Sequence, residues 1–285
     1  MEPYRIFEEN NRVVLFDTKN CNWYRMSKEY FQINREELLI EHSEKMNDPQ
    51  KNIKIMYVSL TRKCNMSCEF CSTKSGPNID TTKELSYEDI CEKLIPLLKK
   101  IEPHNVILSG GEPLTRLDIF EIVNALKTDL PRTNIVLQTN GLLLNHSRLE
   151  KLKNKIAYIE ISIEDMFYSK SFYKRLTEVL EQIKKAQIPM QLSYVVTRDN
   201  VQYMREVLQI VQKYSAPILL RFVSPVGNAA DKKISFMYAE DIKNFYLNMI
   251  DYVIEENCTD ENILSLALPP LQVTDSCGAY GRMLY

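Results

Sequence analysis

Three cysteines fall within eight residues, Cys64-Asn65-Met66-Ser67-Cys68-Glu69-Phe70-Cys71, with the spacing C-x-x-x-C-x-x-C. Thiolates are the usual ligands of iron–sulfur clusters and of structural zinc. Three of them on one tight loop can hold three corners of an iron–sulfur cube. Such clusters are ordinarily held by four cysteines, so three leave one iron open to a chelating ligand. The competing chemistry is a zinc knuckle completed by a histidine. The chain has only His42, His104 and His146, and none has a paired ligand spacing. The other cysteines, Cys21, Cys91, Cys258 and Cys277, are scattered.

A second run with chemical content is Ser109-Gly110-Gly111-Glu112-Pro113. Adjacent glycines let main chain approach a ligand closely. A carboxylate beside them can accept hydrogen bonds from an ammonium group. The same run, taken alone, is equally a strand-to-helix turn. Thr139-Asn140-Gly141 also reads as either a turn or a ligand loop.

The elements that must position these runs follow from periodicity. Short β-branched stretches at Ile55–Leu60, Val106–Leu108, Ile135–Gln138, Tyr158–Ile163, Gln191–Val196 and Ile218–Val223 read as strands. Between them, Tyr87–Lys100, Asp118–Lys127, Ser147–Asn154, Phe172–Ala186 and Val201–Tyr214 read as amphipathic helices. Ile90, Leu94, Leu97, Leu98 and Ile101 would form one face of the first helix, and Leu176, Val179, Leu180 and Ile183 that of the fourth. Alternating strands and helices imply an α/β fold with a parallel sheet and helices outside. A closed eight-unit barrel takes about 250 residues, and the six units here fill roughly 170, so a partial (βα)6 barrel, open on one side, is expected. Its chemistry belongs in the loops after the C-terminal ends of the strands, where the runs above lie. A domain plan follows: an N-terminal extension over 1–52, the barrel over 53–230 and a C-terminal segment over 231–285. The extension holds a hairpin around Asn10-Asn11 and a short helix capped by Ser27 and running towards Ile33, then a charged linker over His42–Asn52. In the C-terminal segment a single helix, Tyr238–Glu255, precedes an irregular tail.

Composition bounds the function. Lysine and arginine number 36 against 38 aspartate and glutamate, so neither a nucleic-acid partner nor a polybasic membrane anchor is expected. No apolar run approaches the roughly 18 residues of a membrane span, and the first residues lack a signal-peptide pattern. A cytoplasmic chain is expected, in which cysteines point to metal or catalysis before disulfides. Glycine is scarce, seven residues where roughly 20 would be average, so the positions it keeps are informative.

With Thr61 and Asn65 completing T-x-x-C-N, and an aromatic residue, Phe70, before the last cysteine, the cysteine run resembles the signature of the radical S-adenosylmethionine (radical SAM) enzymes. The Gly110-Gly111-Glu112 run one strand later is similar to that family's GGE motif. The resemblance implies a 4Fe-4S cluster on Cys64, Cys68 and Cys71, whose open iron binds the amino and carboxylate groups of SAM. It implies Phe70 near the adenine, and Glu112 with the Gly110 and Gly111 backbone at the SAM amine. Thr139 and Asn140 occupy the place of a common T-N-G form, and Ser162 that of a ribose contact, though Glu164-Asp165 stands where relatives have Asp-Gly. Arg175 is the nearest candidate for the SAM carboxylate, with a solvated helix residue as the alternative. Arg221 and Pro225-Val226-Gly227-Asn228-Ala229 look like the family's P-x-G-x-A region, with Asn228 where arginine is frequent. Inside a barrel Arg221 needs a partner, which substrate, SAM or a structural carboxylate would supply.

Cys277-Gly278-Ala279-Tyr280-Gly281, with Cys258 upstream, resembles the opening of the SPASM or twitch extension of peptide-modifying members, where both cysteines ligate an auxiliary cluster. The further cysteines of such a cluster are missing, so a truncated extension and no stable auxiliary cluster are expected, with two free thiols as the alternative. Cys91 reads as a small buried hydrophobe. The resemblance implies an enzyme that cleaves SAM reductively and modifies a ribosomally made precursor peptide, fed by an electron donor such as flavodoxin or ferredoxin. The extension over 1–52 would bind the leader of that peptide or cap the barrel. The alternatives are a radical SAM enzyme acting on a small molecule in cofactor biosynthesis, or a non-catalytic cysteine–metal protein.

Overall fold

The computed structural model describes residues 4–9, 12–17, 22–35, 53–231, 236–267 and 283–284. At the N-terminus β1 (Tyr4–Glu9) and β2 (Arg12–Asp17) pair antiparallel with Glu9 opposite Arg12, and Asn10-Asn11, where the hairpin turn is expected, lies outside the described residues. A strand that periodicity did not mark, β3 (Asn22–Ser27), extends this sheet on the far side of β2. The following helix, α1 (residues 28–35), is capped as expected: the Ser27 hydroxyl oxygen accepts the Tyr30 N–H at 3.1 Å. The linker over His42–Asn52, Cys21 and the run from Cys277 to Gly281 lie outside the described residues.

The second sheet is parallel and carries the barrel: β4 (Ile55–Thr61), β5 (Asn105–Gly110), β6 (Asn134–Thr139), β7 (Tyr158–Ser162), β8 (Met190–Val196) and β9 (Ile218–Phe222), paired in sequence order. A two-residue strand, β10 (Met283–Leu284), borders β4. No ladder joins β9 to β4, so the barrel is open, as the unit count implies. Strands buried on both faces read as continuous apolar runs, and Val106, Ile107 and Leu108 of β5 are buried.

Helices cover the outer face: α2 (residues 87–101), α3 (Ile119–Asp129), α4 (His146–Leu152), α5 (Lys170–Ala186) and α6 (Met204–Tyr214). Leu176, Val179, Leu180 and Ile183 of α5 are all buried, as expected. In α2 the expected face is wrong at one position. Leu97 is 49% exposed, while Ile95, outside the 3.6-residue pattern, is 2% exposed. The segment Ile90–Leu94 is a π-helical turn, and its wider i→i+5 repeat places Ile95 where an ordinary helix would place Leu94. Beyond the barrel are a one-turn helix, α7 (Asn228–Asp231), then α8 (Ala239–Glu255) and α9 (Glu261–Ala267). The last stands where an irregular tail was expected, and Ile263 in it is fully buried. Among the described residues no helix is long and apolar enough to cross a membrane.

Leu137 lies on the central strand β6 with no exposed surface. Leu137→Ala should destabilise the chain by about 2–5 kcal/mol, the cost of the lost methyl groups and the cavity they leave, read from the urea midpoint.

Candidate functional site

The cysteine loop leaves β4 and is closed at its base by main chain. Cys64 N donates to Gly76 O at 3.0 Å, Gly76 N to Arg62 O at 3.4 Å, and Lys63 bridges Gly76. The Arg62 side chain donates to Thr73 O at 3.2 Å, and its N–H to Glu84 Oε1 at 2.7 Å. Two sulfurs already accept N–H groups: Cys64 from Met66 at 3.4 Å and Cys71 from Ser75 at 3.3 Å. Burial pushes the Cys64 thiol pKa up, as it does for Cys68, where Asp165 and Glu164 add repulsion. Burial also raises Cys71, but hydrogen bonds from Thr73 and Ser75 outweigh it and bring that thiol below its ordinary value. Phe70 is half-buried on this loop.

The loop after β5 packs its backbone directly on that of the cysteine loop. Gly111 N donates to Thr61 O at 2.6 Å and Glu112 N to Lys63 O at 2.9 Å. A Cβ on Gly110 would overlap the Thr61 carbonyl oxygen, and one on Gly111 the Lys63 carbonyl. The glycines are thus required by the neighbouring loop. Glu112 has no exposed surface. Its Oε1 accepts Leu114 N at 3.0 Å and the Thr139 hydroxyl at 2.8 Å, and its Oε2 accepts Asn140 N at 2.8 Å. Burial raises its pKa against these bonds. A carboxylate has about four acceptor sites, so three are used in tying the loop after β5 to the loop after β6. Asn140 in turn reaches the cysteine loop, donating to Asn65 Oδ1 at 2.9 Å.

Arg175, on α5, gives Nη2 to the carbonyls of Leu142 and Leu144 at 3.1 and 2.5 Å, bracing the loop that carries Asn140. Of the partners open to Arg221, the structure supplies a carboxylate: Nη2 donates to Glu160 Oε1 at 2.8 Å, and Nη1 bonds the Ser193 hydroxyl. Gln138 Nε2 also donates to Glu160 Oε1 at 2.6 Å, and Ser109 bonds Gln138, so a polar layer crosses from β5 to β9. Ser162 ends β7 on the same face as Glu160, two residues on.

Directly after it, a 3-10 turn carries Glu164 and Asp165, 4% and 2% exposed, with Glu164 Oε2 and Asp165 Oδ1 lacking a hydrogen-bond partner among the described residues. Burial pushes Glu164 up to about 8, with repulsion from Asp165 adding, and pushes Asp165 up to about 6. Glu160 is the residue that sequence reasoning missed outright. It is a single acid among Ile159 and Ile161, and only strand alternation opposite Arg221 could have marked it.

The last barrel loop touches the cysteines too. Asn228 N donates to Cys71 O at 2.8 Å and Asn228 Nδ2 to Cys68 O at 2.9 Å. Cys258 stands apart, buried and accepting Gln212 Nε2 at 3.3 Å, and Cys91 is half-buried against the core. A cavity of about 630 Å³ near Tyr158, Lys184 and Tyr214 opens at the opposite, N-terminal end of the strands, away from these groups.

Among the described residues no three His, Cys, Asp or Glu side chains converge on a single-ion site. Tetrahedral zinc, with Zn–S about 2.3 Å, would draw its thiolates nearly into contact. A cluster places each thiolate on a separate iron, so the spread of the three thiols on a preformed loop fits a cluster better than a knuckle.

A model of the radical SAM superfamily matches residues 58–211. The chain is 31% identical to a GTP 3',8-cyclase of Syntrophomonas wolfei over 69% of this chain and 63% of that protein, so it spans under two thirds of that relative. It is 27% identical to the mycofactocin maturase MftC of Mycolicibacterium smegmatis over 60% of this chain and 45% of the relative. The fold is similar to that of Streptococcus suis SuiB bound to S-adenosylmethionine, with TM-score 0.60 and 15% identity over 91% of this chain and 71% of SuiB. It is similar to the same protein bound to its precursor peptide SuiA, with TM-score 0.60 and 14% identity over 90% of this chain and 70% of SuiB.

Glu164 yields a pH prediction. Its folded pKa, about 8, lies above the roughly 4.3 of an unfolded glutamate, so the folded state holds the proton more tightly. That contribution is complete below about pH 4 and is lost as pH rises towards 8, at up to about 1.4 kcal/mol per pH unit. Glu164→Gln, which cannot ionise, should therefore gain stability relative to the unsubstituted cluster-free protein from pH 5 to pH 8. A constant difference in urea midpoint across that range would show that Glu164 ionises normally.

Proposed function

The chain belongs to the radical SAM superfamily, and we propose that it modifies a ribosomally made peptide. Enzymes of this family use a 4Fe-4S cluster and SAM, and solved neighbours carry SAM. When bound, this pair supplies an electron for cleaving SAM to methionine and a 5'-deoxyadenosyl radical that takes hydrogen from substrate.

The roles of this chain's residues belong to the proposal. Cys64, Cys68 and Cys71 hold the cluster on a loop closed at Gly76. The backbone of Gly110 and Gly111, together with Glu112, borders the SAM amine, and Phe70 flanks the adenine. Ser162 meets the ribose, Thr139 and Asn140 form the cofactor-facing loop that holds Glu112, and Arg175 and Arg221 act by holding the loop and strand layer behind them. Flavodoxin or ferredoxin supplies electrons. Residues 1–52 bind the leader: the edge strands of the β1–β3 sheet are of the kind to which an extended peptide adds. The similarity to SuiB covers a span too long to leave out all of those residues.

The observation that carries the peptide reading is charge. Among the described residues the cation of the polar layer, Arg221, is already bonded to Glu160, and beyond it Glu164 and Asp165 are buried, each with one oxygen lacking a partner. Sites for polyphosphates present unpaired arginine and lysine forks. An acidic face of this kind suits the neutral or cationic side chains of a peptide. The similarity to GTP 3',8-cyclases favours the second reading, a small-molecule substrate in cofactor biosynthesis.

Anaerobic reconstitution should give about four irons per chain, and SAM with reductant should give 5'-deoxyadenosine. Alanine at Cys64, Cys68 and Cys71 together should abolish both, and SAM cleavage surviving in that variant would sink the mechanism. About eight irons would overturn the expectation that no stable auxiliary cluster forms.

Substrate class is read separately. A short precursor encoded beside this chain should raise 5'-deoxyadenosine formation above the substrate-free level, and GTP should leave it unchanged. A GTP-dependent rise would establish the small-molecule reading instead.

A further inference from the structure

Among the described residues, β4 is bordered along its length by β5 and on its other side by the two-residue β10, which pairs with Ile55 and Met56 at the end of β4 away from the cysteine loop. β4 pairs with β5, and the loops after β5 and β6 reach the cysteine loop, but no ladder connects β9 back to β4. The loop after β9 crosses that gap. Gly227 has φ +62°, and a Cβ there would overlap the carbonyl oxygens of Cys71 and Ser72. Its successor Asn228 donates its main-chain N–H to Cys71 O at 2.8 Å and its side-chain amide to Cys68 O at 2.9 Å. One turn later Asp231 pairs with Lys74 at the end of the same loop.

We propose that Asn228, presented by Gly227, is a positioning residue that clasps the cysteine loop and holds Cys68 and Cys71 in their ligand-ready arrangement before any metal arrives. The two carbonyls it grips belong to two of the three cysteines. A carbonyl held in direction fixes the peptide plane it belongs to, and so narrows the directions open to the Cα–Cβ bond beside it. Cys71 N also donates to Cys68 O at 3.3 Å and Lys74 N to Cys71 O at 3.4 Å, so both acceptors are shared between the loop's own turn and the clasp. Two contacts require glycine or asparagine in particular. Gly227 must take a left-handed φ with no Cβ, and the residue after it must present an N–H and a short amide to two carbonyls three residues apart. Asn228→Asp is nearly the same size but turns the donor into an acceptor facing the Cys68 carbonyl.

The inference rests on the cysteine-cluster reading, and two measurements separate them. The first is iron loss from reconstituted protein to a ferrous chelator. Asn228→Asp should lose iron roughly tenfold faster than the unsubstituted chain, the fold-change of one hydrogen bond of ordinary strength. Val226→Ala, in the same loop but half-exposed, should match the unsubstituted chain. Iron loss within twofold in a folded Asn228→Asp would overturn the clasp. The second is hydrogen exchange of the unsubstituted, metal-free chain, which needs neither a folded variant nor a cluster. There the Asn228 amide should be strongly protected, and exchange at the unfolded rate would overturn the clasp. If the reconstituted protein holds no iron at all, the cluster reading fails while the exchange result still decides the clasp.

Discussion

Main chain lies against main chain around Cys64, Cys68 and Cys71, and most of the structure at this end of the barrel follows from that contact. Gly110 and Gly111 bring the strand leaving β5 onto the carbonyls of Thr61 and Lys63, where side chains would collide. Gly227 does the same from the other edge, against Cys71 and Ser72. A loop that must present several thiols to one cofactor loses little entropy on binding it if its backbone is already fixed. Backbone hydrogen bonds fix it more tightly than long side chains do, because fewer rotamers are frozen in making them. Glu112 extends the grip one strand further, since its three accepted bonds join the loops after β5 and β6, and Asn140 then reaches Asn65.

Charge at this end is divided by whether it is satisfied. Burying a carboxylate is costly unless donors or a cation accompany it. Glu112 has three donors, and Glu160 has Arg221 and Gln138. Glu164 and Asp165 each keep an oxygen with none, and burial raises the proton affinity of both, with repulsion from Asp165 adding at Glu164. The same two acids raise the Cys68 thiol. A bound metal reverses that logic, because its positive charge favours thiolate over thiol.

Strand and helix order was legible because each barrel unit carries its own pattern: β-branched runs for strands buried on both faces, one apolar stripe per helix. Where the reading failed, the cause was a local departure from period. The π turn at Ile90–Leu94 shifts the buried face of α2 from Leu97 to Ile95, and β3, with Asn22, Arg25 and Ser27 interleaved among aromatics, reads as polar and mixed. At the site, spacing marked the cysteines, and glycine scarcity marked Gly110, Gly111 and Gly227. Neither could show what those glycines face, because that depends on a neighbouring loop dozens of residues away. Glu160 was hidden for a related reason: a lone acid in an apolar strand gains meaning only when the strand pairing sets Arg221 nearby.

Similarity and site chemistry weigh differently on the substrate. What 31% identity to a GTP cyclase and a common fold with SuiB show is relatedness in sequence and in fold. A fold hosts many functions, and the substrate is chosen by the side chains that meet it. On the proposed reading those side chains are the ones on the inner faces of β6 to β9 and just beyond them. Specificity there is a difference of affinities, to which unfavourable contacts contribute as much as favourable ones. On the proposed reading, Glu164 and Asp165, each with one buried oxygen lacking a partner, and Arg221, already bonded to Glu160, suit a peptide segment better than a polyphosphate.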